Sequence, residues 1–176
     1  LGGSIRVVIV TDYEKTSATS LVDGILDDEA GGAIAVFRSM VSHLDGDSLD
    51  PVLMTGNTVL VDDDLFEKFI TRAKAWIAER NLEIRFEDKI HQGYHEIRGK
   101  GKDWVPRYYS LMITEFFQEG LTKCLIGTRG LLGEGWDASR INVLVDMTTV
   151  TTSMSINQLR GRSIRLDSTW NEKVAN

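Results

Sequence analysis

The segment Gln158-Leu159-Arg160-Gly161-Arg162-Ser163-Ile164-Arg165 sets two guanidinium groups three residues apart. On a helix, Arg162 and Arg165 share one face. Each guanidinium is a planar fork of donors, so the pair can clamp multiply charged phosphate oxygens. An isolated pair of this spacing also fits a solvated basic helix end. Gly161 weighs against that reading, because glycine inside a helix costs about 1 kcal/mol and calls for close packing or ligand approach.

A second polar cluster precedes it, Gly127-Thr128-Arg129-Gly130-Leu131-Leu132-Gly133-Glu134-Gly135-Trp136-Asp137. Its four glycines within nine residues permit close backbone approach to a ligand. Thr128 can offer a hydroxyl and an NH to a phosphate. Asp137 can accept from a sugar hydroxyl. A glycine-rich loop with a capping aspartate is the plainer alternative.

These clusters need elements to position them. Val7-Val8-Ile9-Val10, Cys124-Leu125-Ile126 and Val143-Leu144-Val145 are short apolar runs, with Pro51-Val52-Leu53-Met54 a shorter fourth. Such runs suit strands buried on both faces, as in a parallel sheet. Helical spacing is expected over 16–26, 34–44 and 108–117, the last closed by Gly120, and from about 152 to 165. Asp62-Asp63-Asp64 opens a strongly periodic helical segment, with acidic residues where a helix N-terminus favours them. Ile97 to Asp103 is basic and glycine-rich and is expected to be a loop. Strands alternating with helices predict a layered α/β domain with ligands bound at the strands' C-terminal ends.

Composition narrows the function. Hydrophobic residues make up 42% and charged residues 26%, a globular balance. No apolar run approaches the roughly 20 residues needed to span a bilayer. Leu1-Gly2-Gly3-Ser4 reads as a leader without signal-peptide character. A lone cysteine, Cys124, excludes an internal disulfide and sits in an apolar run, so a buried structural thiol and a reducing, cytoplasmic setting are expected. His43, His91 and His95 lack zinc spacing, and no metal site is expected. A net charge of −6 argues against an autonomous nucleic-acid binder, though not against a local or shared contact.

The ordered set of motifs resembles the C-terminal RecA-like domain of superfamily-two DExH/DEAD-type helicases. Gln158 to Arg165 matches the family's motif VI, Thr128 to Asp137 resembles motif V, and Val7 to Asp12 is similar to motif IV. Leu53-Met54-Thr55-Gly56 resembles the strand and glycine that follow it. The spacing from Thr128 to Asp137 is one residue longer than the usual DEAD-box form. The resemblance implies a three-layer RecA-like fold over residues 1–176, with a mainly parallel central sheet flanked by helices and an insertion at about 68–105. It implies that Arg162 and Arg165 act as arginine fingers on ATP, and that Gln158 couples nucleotide state to domain closure. Gly135 and Asp137 would face the nucleotide. Thr128, with the backbone near Thr11 and Gly56, would grip a nucleic-acid phosphate. DNA is favoured over RNA by the Gln-initiated motif VI and the Gly-Glu-Gly of motif V.

No G-x-x-x-x-G-K-[ST] occurs in the sequence. The nearest stretch, Gly93 to Gly101, has an extra residue between glycines and no hydroxyl after Lys100. Leu26-Asp27-Asp28-Glu29-Ala30 has the look of a DEAD box but follows motif IV, where a helix-end acidic cluster explains it better. The expectation is therefore half of an ATPase, with Mg²⁺ and the phosphates held by a P-loop domain of the same polypeptide. A RecA-like docking module for nucleic acid or protein is the alternative.

Overall fold

The computed structural model describes residues 5–13, 32–133 and 136–149, together with Gly161. The expected helices at 16–26 and 152–165 lie outside the described residues, apart from helical Gly161.

Among the described residues seven strands form one sheet: β1 (Val7–Thr11), β2 (Val52–Met54), β3 (Val59–Asp62), β4 (Arg85–His91), β5 (Tyr94–Lys100), β6 (Cys124–Thr128) and β7 (Val143–Asp146). Their order across the sheet is β4-β5-β3-β2-β6-β1-β7. The helices are α1 (Ala33–Val41), α2 (Leu44–Asp47), α3 (Asp63–Glu79), α4 (Pro106–Glu119) and α5 (Arg129–Leu132).

The sheet is mixed, which corrects the expectation of a mainly parallel one. β2, β6, β1 and β7 run parallel. β1, β2 and β6 are buried on both faces as their apolar runs suggest, whereas β7 stands at the end of the described sheet with Val145 exposed, which corrects the expectation that its run is fully buried. β3, β5 and β4 add three antiparallel pairings. Two tight turns cause this. After β2, Thr55 Oγ1 accepts from the backbone NH groups of Asn57 and Thr58 at 3.2 and 3.0 Å, which folds the chain straight back into β3. Between β4 and β5 only Gln92 and Gly93 intervene, and Gly93 takes φ +81°, which few residues but glycine adopt readily.

The expected loop at Ile97 to Asp103 is likewise corrected. Its first four residues belong to β5, and the chain turns only at Gly101 (φ +120°). The β4–β5 hairpin lies within the stretch expected to be an insertion and extends the sheet to its outer edge.

Helices cover both faces, because the buried strands alternate their side chains between them. Val7 and Ile9 of β1 pack with Phe37 of α1. Val8 and Val10 join the larger cluster, where α3 contributes Phe69 and Trp76 and α4 contributes Met112 and Phe116. α3 and α4 are tied together at their rims. Arg72 donates to both Glu119 oxygens at 3.0 and 2.7 Å, and Trp76 Nε1 donates to Glu115 at 2.6 Å. α4 ends at Gly120 (φ +89°), as the sequence predicts. β3 passes into α3 with no residue between them.

Candidate functional site

The parallel strands bring three of the expected residues to one edge of the sheet. Thr11 and Thr128 are register partners at the C-terminal ends of β1 and β6. Met54 pairs with Gly127, so Thr55 stands level with Thr128 on the next strand, and Gly56 follows it. Thr11, Thr128 and the Thr55–Thr58 turn thus form one row across three neighbouring strands.

Their chemistry differs along the row. Thr11 is fully buried, and its hydroxyl donates to the Tyr13 carbonyl at 3.0 Å, so it shapes the loop after β1. Thr128 is half-buried at the N-cap of α5 but makes no side-chain capping bond. Gly56 is exposed, and a Cβ added there would meet nothing within 4 Å. The turn is pinned from below by Tyr109 of α4, whose hydroxyl donates to the Thr55 carbonyl at 2.6 Å.

β7 adds polar residues that sequence reasoning did not assign. Asp12 accepts from both the NH and the hydroxyl of Thr149 at 2.6 Å, and Asp146 accepts from the Thr148 hydroxyl at 2.7 Å. The Thr149 bonds, helped by the charge of Arg129, hold the Asp12 carboxyl below its usual range. Each of these residues sits at or just beyond a strand end, and that position was the available signal.

The glycine-rich segment divides. Gly127 has a packing role: a Cβ there would lie 2.7 Å from Leu132 Cδ1 and 2.9 Å from the Met54 carbonyl oxygen. Gly133 would meet the Arg129 carbonyl at 2.2 Å. Only Gly130 of the three opens to free space. Part of the expected loop is helical, as α5, which Gly127 allows to lie close against β6. Beyond it, Trp136 Nε1 donates to Thr114 Oγ1 at 2.8 Å, and exposed Asp137 follows.

Gly135, Gln158, Arg162 and Arg165 lie outside the described residues. Gly161 is exposed, with nothing within 4 Å of a would-be Cβ, so among the described residues packing does not demand glycine there.

No family model matches the chain. Neither a curated protein nor a solved structure matches it.

Two further expectations meet their surroundings. Burial pushes the Cys124 thiol up to about 12, so it is chemically quiet. In the basic stretch near Gly101, Arg98 pairs with Glu96, Lys100 with Glu87 and Lys102 with Glu83, so its positive charges are locally balanced. Among the described residues no helix is long and apolar enough to cross a membrane.

Proposed function

We propose that this chain is the second, RecA-like motor domain of an ATP-dependent superfamily-two helicase or translocase. The reading rests on the ordered motifs and, above all, on the row formed by Thr11, Thr128 and the Gly56 turn. Residues from three sequence segments, each expected to grip a nucleic-acid phosphate, meet at the C-terminal ends of adjacent parallel strands. Ligands of open α/β sheets bind at that edge. Backbone and hydroxyl donors there would hold phosphates without reading bases, which suits a protein that moves along its track.

In this reading ATP lies between this domain and a P-loop domain of the same polypeptide, which also holds Mg²⁺. Arg162 and Arg165 reach the γ-phosphoryl oxygens and offset charge that develops as the bond to the leaving group breaks. Gln158 reports that contact to the domain interface, and Asp137 with Gly135 faces the nucleotide. Nucleic acid, DNA in preference to RNA, crosses the threonine row.

The test is Arg162→Ala in the full-length protein. An arginine finger contributes roughly 10³–10⁵ in rate, so ATP turnover should fall at least 100-fold while nucleic-acid affinity changes by less than about threefold. The 176-residue chain alone should show no ATPase above background. Turnover by the chain alone, or equal loss of hydrolysis and binding in the variant, overturns the motor reading. A full-length protein that binds nucleic acid or protein without hydrolysing ATP would instead mark a docking module, a role compatible with the net charge of −6.

A further inference from the structure

The sheet ends on one side in an open strand. Among the described residues β4 is the last strand there, and five of its seven residues are exposed. Its pairing with β5 fixes which backbone groups face outwards. His91 and Tyr94 close a two-residue turn, so Arg85, Glu87, Lys89 and His91 direct their NH and carbonyl groups to β5. Those of Phe86, Asp88 and Ile90 point away from it. Such a row is a template for a further strand.

Two apolar features lie on this edge at equal spacing from Asp88. Ile90, two residues after it, is 73% exposed. Phe86, two residues before it, stands on the same face, because side chains alternate along a strand. Phe86 packs edge-on against Trp104, with ring centres 5.7 Å apart. Together with Leu82 and Ile84 it lines an open groove of about 770 Å³ beside the strand. The strand therefore carries an apolar knob at one end and an apolar wall at the other.

Charges on an edge strand ordinarily protect it from pairing. The order of the charges in β4 does the reverse for one partner, a second copy of this chain. When two β4 strands pair antiparallel about a two-fold axis at Asp88, Phe86 of each copy faces Ile90 of the other. On the opposite face Glu87 meets Lys89, and both pairs form twice. Moving the axis by one residue either way sets Glu87 or Lys89 against itself and breaks the apolar pairs. Asp88 meets its own image on the favoured axis, but its carboxylate is already hydrogen-bonded to His95 of its own chain at 2.8 Å.

We propose that the chain forms a symmetric dimer through the β4 edge, with each Ile90 entering the groove beside Phe86 of the second copy. Phe86, Asp88 and Ile90 then exchange about six backbone hydrogen bonds with their images, and the two sheets become continuous. Cross-strand apolar and opposite-charge pairs of this kind each add a modest stabilisation, so the affinity is expected to be micromolar. The dimer goes beyond the motor reading, since it uses neither the threonine row nor a nucleotide.

Sedimentation velocity of the 176-residue chain, from about 1 to 500 µM, tests the proposal. A reversible monomer–dimer equilibrium is expected. Ile90→Ser, at an exposed position, should weaken it at least tenfold while leaving circular dichroism unchanged. Asp88→Asn should strengthen it several-fold by removing like charges at the axis. Glu87→Lys and Lys89→Glu should each be monomeric alone, since each sets like charges together at two places. Mixed, the two variants should associate, because both places then hold opposite charges. A chain that stays monomeric at 500 µM overturns the proposal, as does a dimer that Ile90→Ser leaves intact. Failure of the two charge variants to associate on mixing overturns it too. Should either charge variant fail to fold, undiminished association in Ile90→Ser overturns it on its own.

Discussion

Gly127 and Gly56 sit at two strand ends, and both invite the same first explanation, that a ligand needs the space. Their surroundings separate them. A methyl group at Gly127 would press within 3 Å of the Met54 carbonyl and the Leu132 side chain, in a region already close-packed. At Gly56 the same methyl group enters open space. Gly127→Ala is therefore expected to lower stability by about 1–3 kcal/mol, the usual cost of overpacking. Gly56→Ala should stay within about 0.5 kcal/mol of the parent. Urea unfolding midpoints of the two variants check both values. Equal losses would mean that the turn at Gly56 is more constrained than its free surroundings imply. Gly56→Ala is also the cleaner probe of phosphate gripping, because any loss of polynucleotide affinity would not be confounded with unfolding.

At the scale of elements, the Thr55–Thr58 turn is held by its own threonine and by α4. Removing the Tyr109 hydroxyl deletes a buried 2.6 Å hydrogen bond to the Thr55 carbonyl while leaving the ring in place. Tyr109→Phe should cost about 1 kcal/mol and speed amide exchange at Asn57 and Thr58, read by hydrogen exchange with mass spectrometry. Unchanged exchange would show that the threonine alone maintains the turn. Which elements were legible in the sequence follows from burial. β1, β2 and β6 are buried on both faces and announce themselves as apolar runs. α3 and α4 carry a buried stripe at helical spacing, bounded by aspartates and by Gly120. β4 is mostly exposed and β5 carries charges on both sides of its two buried residues, so no period of two appears in their hydrophobicity. β3 is apolar, but Val59-Leu60-Val61 is only three residues long and runs directly into the aspartates that open α3, so it gives little signal of its own.

At the scale of the whole molecule, one buried group links global stability to pH. Burial, with the Asp47 carboxyl beside it, pushes the Asp62 carboxyl up to about 7 in the folded chain from its ordinary 3.8. The folded state then binds the extra proton between those values. The stability it contributes is complete below about pH 4 and is lost as pH rises through about 7, at a slope approaching about 1.4 kcal/mol per unit. The chain should thus melt lower at pH 8 than at pH 5.5 by more than Asp62→Asn does. Parallel pH profiles for the two proteins would assign the dependence to other groups. The candidate site was legible in part for a related physical reason. Strand-end polar residues such as Thr11 and Thr128 stand beside apolar runs, whereas the Asp12–Thr149 contact joins residues far apart in sequence and emerges only from the fold. The junction that places Asp62 has a mechanical side as well. Because β3 enters α3 with no residue between them, the direction of the 17-residue helix is tied to that of the strand. A single four-residue strand therefore connects the start of α3 to the Gly56 turn, and a change in the pitch of either end would have to be taken up within Val59–Asp62.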